Sequence, residues 1–457
     1  MIYRNKKNLE IWNKYGDNVL MVMPFEDNII VKAKDCIIED ADGNRFLDLA
    51  SGQLCAVLGH NHPNLVERIV NQAREVIHSG TNFLSLPVME AASKLAEVAT
   101  GDLKKSIFLS TGSEANECAL RLAKIHTQRT GMVGFTLGYS GMTLAMRSIS
   151  SSFGAPIASR PAVPNSHSIL TPYCRKCPVD AEYPQCDFLC LQVSENELGR
   201  DKDQIAAFIV EPIISAGGMI VPPDGYFKRL KEFANGCGAL LIADEAQTGF
   251  GRTGKWFGME LFDVTPDILV VSKSAGGGFP ASAVITTDEI ADDLMTKKAT
   301  HMSSHQSDPL PAAAISAVID TVREEELVEK ARANGQYFKE RLQGLREKWP
   351  IIADVRGEGL MLGLELDEDN ETGRSKDLLA FMLEKYCKQR GVWLSYGSWG
   401  GVFRLLPPLT ITRKQIDHAI SELDGSFDDM ASGKEMASIG TQNPYTNEFI
   451  SRYLASQ

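Results

Sequence analysis

Two short apolar runs each end on a charged residue. Residues 239–245 read ALLIADE and put Asp244 where a buried strand stops. Residues 267–273 read DILVVSK and put Lys273 at the equivalent end, 29 residues further on. An unpaired carboxylate or ammonium there is costly, so each requires a partner. Pyridoxal 5'-phosphate uses both: a lysine forms a Schiff base with its aldehyde, and an acidic residue keeps its pyridine nitrogen protonated. A protonated ring withdraws electrons and weakens a bond at a substrate's Cα. A structural salt bridge at the sheet edge would use the same residue types. Ser110, Thr111, Gly112 and Ser113 offer a phosphate cradle, because Gly112 admits close backbone approach and the next amides point out of a helix N-terminus. Thr111 or Ser113 as a helix cap, with Glu114 in the first turn, is compatible with that role.

The elements that must hold these residues alternate. KKSIFLS, MVGFTLG, AAFIVEP, ALLIADE and DILVVSK read as short buried strands, and ANECALRLAKIHTQR reads as an amphipathic helix. Strands separated by helices predict an α/β fold with a mostly parallel sheet, whose ligand chemistry gathers at the carboxyl ends of the strands. Residues 30–50 carry short strands broken at Asp42-Gly43, and Leu65 to about Ala99 has helical spacing. From about Ala312 a long helical region leads into strands at IADVRGEG, MLGLELD and GVFRLLPP. The expected organisation is an N-terminal segment (1–55) belonging to a smaller domain, a large domain (56–320), a small α+β C-terminal domain (321–428) and a polar tail (429–457).

Composition narrows the partners. The 457 residues are 44% apolar and 23% charged, and 47 basic against 59 acidic residues give a net charge of −12. Such a chain is globular and lacks the basic face that nucleic acid or an anionic membrane requires. No apolar run reaches membrane-span length and no secretory core is visible, so a cytoplasmic protein with reduced thiols is expected.

STGSEAN, EPI, DEAQTGFGRTG, SKSAGGGFP and HQSDPLPAA together resemble the class III, ω-type aminotransferases of fold type I, over about residues 20–425. SGQLCAVLGHNHP, VPPDGYF, SHQSDPLPAAA and GGVFRLLPPLT look more narrowly like the 2,2-dialkylglycine decarboxylase branch. The resemblance implies a seven-stranded sheet, pyridoxal phosphate, and small amino acid and keto acid substrates. It implies decarboxylation of an α,α-disubstituted amino acid followed by amino transfer to a keto acid. Plain ω-transamination or epimerisation uses the same fold and cofactor. By this resemblance Lys273 is the Schiff-base lysine and proton shuttle. Asp244 pairs with the pyridine nitrogen, and Gln247, one helical turn beyond it, reaches the phenolic oxygen. Thr111, Gly112 and Ser113 hold the phosphate, and Ser304 reaches it from the neighbouring subunit of a homodimer or dimer of dimers. Tyr139 stacks on the ring, Arg404 binds a substrate carboxylate, and Gln53 bonds the carboxylate that leaves. Arg holds a carboxylate with a fixed fork and keeps it in the ring plane. A neutral Gln on the lysine side suits a group about to become CO2, since tight ground-state binding does not accelerate chemistry.

The chain departs from that pattern at several points. Tyr139 stands where the decarboxylases have tryptophan, Ser140 where class III enzymes commonly have histidine, and Leu54 where the decarboxylases have methionine. Ser215-Ala216 replaces two serines. Asp308, with Ser304 and the Gln306 carbonyl, resembles an alkali-metal site for K+ or Na+, while position alone makes Asp308 the cap of a helix starting near Pro309. Cys174, Cys177, Cys186 and Cys190 are spaced C-x2-C-x8-C-x3-C. Four thiolates suit tetrahedral zinc, and the same residues also read as a disulfide or as free packed thiols. His60 and His62 read as turn and packing residues near the active-site entrance.

Overall fold

The computed structural model describes residues 6–20, 22, 25–150, 163–369, 373–396 and 401–433. Most of the expected tail (434–457) lies outside them, and its first residues continue a helix, Arg413–Ala431.

A seven-stranded sheet forms the centre. Its spatial order is Lys105–Leu109, Ser282–Thr286, Ile268–Val271, Leu240–Asp244, Ile205–Val210, Gly131–Phe135 and Ser166–Ile169. All pairings are parallel except those of Ser282–Thr286, which runs antiparallel to both neighbours. The strands IAAFIV, GMVGF, ILVV and SAVIT are buried at every residue, as expected for strands covered on both faces. The helix Gly112–Thr127 lies on one face. Its buried Ala115, Cys118, Ala119, Leu122 and Ala123 recur at spacings of three and four, a stripe facing the sheet. On the other face packs Pro309–Glu324, whose buried residues run along most of its length.

The helical region expected between Leu65 and Ala99 is two helices, Pro63–Glu75 and Leu86–Val98. The long helix expected after Ala312 is also divided. Glu326 adopts φ 52°, a left-handed conformation that separates Pro309–Glu324 from Leu327–Lys348.

Two smaller sheets flank the core. The strands Ile30–Lys34, Ile37–Asp40 and Arg45–Asp48 join Val392–Trp393, so the N-terminal strands pair with a C-terminal one. Ile352–Glu358, Met361–Leu366, Val402–Leu405 and Ser395–Tyr396 form an antiparallel sheet. Arg252, completely buried, ties these parts together. Its guanidinium donates to the carbonyls of Leu360 and Pro407 and to Ser51 Oγ. Among the described residues no helix is long and apolar enough to cross a membrane.

Candidate active site

The site opens at the carboxyl ends of the parallel strands. Asp244 is the last residue of its strand and lies opposite Val270 in the neighbouring one. Lys273, three residues beyond Val270, begins a short 3-10 turn with φ 43°. Both line a cavity of about 350 Å³, together with Thr111, Gly112, Ser113, Asn116, Tyr139, Glu211 and Gln247.

Asp244 is held on two sides. Its Oδ2 accepts from Asn116 Nδ2 at 2.7 Å and its Oδ1 from the Ala246 amide at 3.1 Å. Burial raises its pKa, while Lys273 and the two donors oppose that rise. A buried carboxylate in this balance favours a further cation beside it, which a protonated pyridine nitrogen supplies. Asn116 comes from the first turn and a half of Gly112–Thr127, and it also donates to Ser140 O at 2.9 Å.

The start of that helix provides the anion site. Thr111 caps it, accepting from Glu114 N at 3.3 Å, so capping and cradle coincide as expected. Ser113 Oγ accepts from Met142 N at 2.9 Å, which draws the 140–142 turn across the helix end. Gly141 permits this approach. At its φ of 135°, a Cβ would stand 2.0 Å from Ser113 Oγ. Gly112 is similarly confined, since a Cβ there would lie 2.9 Å from Ser272 Oγ. Backbone amides, a dipole end and a glycine without a side chain are the parts a phosphate group needs.

Gln247 does not lie a helical turn beyond Asp244. Residues 246–250 form a turn rather than a helix, because Glu245 is engaged by Thr248 Oγ1 and by the amides of Gly258 and Met259. Gln247 still reaches the cavity. Its Oε1 accepts from Ser215 Oγ at 2.6 Å, which leaves its amide NH2 to donate to an oxygen on the cofactor ring.

Three of the expected residues stand off this cavity. Arg404, on Val402–Leu405, is partly buried. Its Nη2 donates to Ser395 Oγ at 3.3 Å and its Nε has no hydrogen-bond partner. Burial lowers its pKa and Glu211 partly restores it. Gln53 is exposed, on a bend where Gly52 takes φ 63°. The Asp48 carboxylate pins that bend through Gly52 N at 2.6 Å and His60 Nε2 at 2.7 Å. His60 is thus a turn residue, and His62 pairs with Glu325. Ser304 is exposed, outside this chain's own cavity.

Asp308 stands at the N-cap of the helix Pro309–Glu324, as its position suggested, but its side chain bonds no helix amide. Its two oxygens instead take His78 Nδ1 at 2.6 Å and His305 Nδ1 at 2.8 Å. Gln306 turns its side-chain oxygen to the Ser303 amide. A side-chain cap has little to bond there, because Pro309 and Pro311 in the first turn carry no N–H.

Sequence reasoning gave no role to Glu211, Asn116 or Cys55. Glu211 follows the buried strand Ile205–Val210, and Asp244 was recognised by the same strand-end criterion. It accepts from the amides of Tyr139 at 2.9 Å and Ser215 at 3.3 Å. Burial, with repulsion from Asp244, pushes its pKa up to about 8. Cys55 lines the cavity close enough to Lys273 for the two to interact electrostatically.

Strand-end carboxylate, strand-end lysine and glycine-bearing helix start, gathered on a seven-stranded α/β sheet, define a pyridoxal-phosphate transferase of fold type I. The model of the family "Aminotransferase class-III" matches residues 22–426. The chain is 37% identical over 426 residues to an uncharacterized aminotransferase of Schizosaccharomyces pombe, covering 91% of this chain and 94% of that one. It is 34% identical over 409 residues to a leucine/methionine racemase of Thermococcus litoralis, covering 89% and 92%. Among solved structures, an amine transaminase from an uncultivated Pseudomonas species, in a PLP-bound form, superimposes with a TM-score of 0.82 at 30% identity, covering 88% and 94%. This chain belongs to the class III aminotransferases and is a pyridoxal-phosphate enzyme.

Proposed function

We propose that the chain transaminates small α-amino acids and, with α,α-dialkyl substrates, removes CO2 in place of a proton. Arg404 carries this reading. A guanidinium whose Nε is shielded from water and unpartnered, within electrostatic reach of Glu211, is arranged to receive a carboxylate. Pyridoxal phosphate, when bound, accepts the electron pair released when a bond at substrate Cα breaks. Lys273 moves the proton to or from the reacting carbon, and Asp244 stabilises the positive charge it faces. Gln247, its orientation set by Ser215, would donate its amide NH2 to an oxygen of the bound cofactor. Thr111, Gly112 and Ser113 would anchor the phosphate, and Tyr139, which lines the same cavity, would cover the ring.

The decarboxylating step is supported by the bend at 51–55. Cys55, two residues after the exposed Gln53, lines the cavity within electrostatic reach of Lys273. Ser51 Oγ donates to Leu406 O at 2.6 Å, linking that bend to the strand of Arg404. Gln53 would be the residue of this bend to hold a carboxylate before its loss as CO2, the chemistry that the cofactor would supply there. The functional unit we infer is a homodimer, since exposed Ser304 is free to face a second cavity.

The test uses 2-aminoisobutyrate with pyruvate, whose Cα carries no hydrogen. The reading predicts CO2, acetone and alanine in equal amounts. Amino transfer from alanine with no CO2 from 2-aminoisobutyrate would remove the decarboxylating part and leave plain transamination. Similarity to a racemase favours a second reading, epimerisation, which would show as D-amino acid formed without any keto acid.

A further inference from the structure

A second cavity, of about 240 Å³, shares no lining residue with the one that Lys273 enters. It lies where three segments meet: the bend 253–255, the helix Leu327–Lys348, and the hairpin that joins Ile352–Glu358 to Met361–Leu366. We propose that it binds a compact dianionic oxyanion, inorganic phosphate or the phosphoryl group of a monoester, through Lys255, Arg332, Lys339 and Thr253.

Close backbone approach builds the cavity walls. A Cβ on Gly335 would overlap the carbonyl of Gly359, so the helix touches the hairpin there. A Cβ on Gly254 would stand 2.9 Å from Arg332 Cβ, so the bend touches the helix. Arg332, Gly335, Gln336 and Lys339 recur at intervals of three and four residues and share one helix face. About 10 Å separates the first Cα of that set from the last, a span that two long cationic side chains can close from either end.

The lining is positive and incompletely paired. Lys339 Nζ donates to Gly357 O at 2.9 Å and lies 3.7 Å from Glu358 Oε1, the one carboxylate on the cavity wall. Gln336 turns its amide to Glu340, which is not part of the wall. Lys255 and Arg332 are exposed, and neither forms an ion pair or side-chain hydrogen bond among the described residues. Three cations against one carboxylate leave an excess that a dianion matches, and an anion placed among them relieves their mutual repulsion. Thr253 supplies an independent sign of a missing partner. It lines the cavity at 3% exposure, and its Oγ1 is enclosed without a hydrogen-bond partner. A buried hydroxyl in that state is costly, and its O–H can donate to an oxyanion.

Size and shape select the ligand class. The volume falls below the about 300–1,000 Å³ of clefts that take drug-sized molecules, which suits a small group. A guanidinium fork, two ammonium groups and a hydroxyl offer more donors than the two oxygens of a carboxylate can use, whereas a phosphoryl group presents three or four. The location gives such a ligand a consequence. Arg252, next to Thr253, donates to Leu360 O at 3.2 Å and to Pro407 O, and Leu360 N returns a bond to Arg252 O at 3.0 Å. A bound oxyanion would brace the junction from which Arg252 reaches the segment just beyond Arg404.

Holoenzyme is titrated calorimetrically with inorganic phosphate at mildly alkaline pH and constant ionic strength, with pyridoxal phosphate keeping its own cradle filled. About one phosphate per chain is expected, with Kd on the order of 0.1–1 mM. Arg332→Gln and Lys255→Gln alter exposed positions, and each should weaken binding about tenfold or more. Phosphate should raise the melting temperature of the unaltered enzyme saturably and leave that of the double variant unchanged. Glycerol 3-phosphate distinguishes the sources: tighter binding than phosphate assigns the site to a phosphoryl group on a larger molecule, and equal or weaker binding to the free ion. Absence of saturable binding up to about 10 mM would overturn the proposal. Equal binding by the double variant would do so too, by placing the ion elsewhere. Release of pyridoxal phosphate during the titration, or equal stabilisation by chloride at the same ionic strength, would also contradict it.

Discussion

Single side chains set the chemistry, and each has a separable consequence. Asp244→Asn removes the buried charge that faces the ring nitrogen, and kcat should fall on the order of 10²–10³ while the fold persists. Arg404→Gln should raise KM for the keto acid roughly 10- to 100-fold, the worth of about 1.5–3 kcal/mol of charged hydrogen bonding. Glu211 adds a pH dependence. With its pKa at about 8 it is neutral at lower pH, and above that it ionises beside Arg404 and competes for the guanidinium. KM for keto acids should rise as pH passes through about 8, and Glu211→Gln should flatten that rise. The native pKa lies above the unfolded one, so the native state binds the extra proton. Stability should therefore fall as pH climbs from the carboxylate range through about 8, and the same variant should lessen that fall. Asp244 and Lys273 were legible in the sequence because each ends an apolar run. Glu211 ends one too, and its role emerges only with the amide of Tyr139, 72 positions away in the chain.

At the scale of elements, the cradle depends on a helix start and a turn meeting without a side chain between them. Gly141→Ala would strain a φ of 135° and drive a Cβ into Ser113. Affinity for pyridoxal phosphate should drop about tenfold or more with little change in secondary structure, as equilibrium dialysis of the variant would show. Alternation of strand and helix gave away the parallel core. The antiparallel strand Ser282–Thr286 was not foreseen, since direction within a sheet leaves no mark on an apolar pentapeptide. The break at Glu326 was hidden for a related reason, as a single left-handed residue interrupts the backbone without interrupting the charge pattern. Gln247 was found through the family resemblance, while the turn that carries it is dictated by Glu245, whose three donors lie up to 14 residues away.

For the whole molecule, the arrangement of its parts rests on buried polar ties. Glu365 is almost completely enclosed and accepts from Tyr173, Lys176 and Arg356, donors that hold its pKa at about 2 against burial. Its contribution is present above the usual carboxylate range and is lost as pH falls toward about 2. Glu365→Gln should cost about 3 kcal/mol, read as a lowered melting temperature at neutral pH. The proposed dimer has an apolar surface available, with Phe83, Leu84 and Leu86 exposed at 71%, 76% and 68%. Light scattering of the holoenzyme should give twice the chain mass, and Ser304→Ala should weaken cofactor binding. The Glu365 tie was not visible in the sequence, where Tyr173 and Glu365 are separated by 192 positions.

The central claim is that Lys273 bonds the cofactor. Borohydride reduction of the holoenzyme, followed by mass mapping of its peptides, tests it directly. A pyridoxyl group on Lys273, absent from Lys273→Ala, is the predicted result. A label on another lysine, or no label on folded protein supplied with the cofactor, would contradict the account.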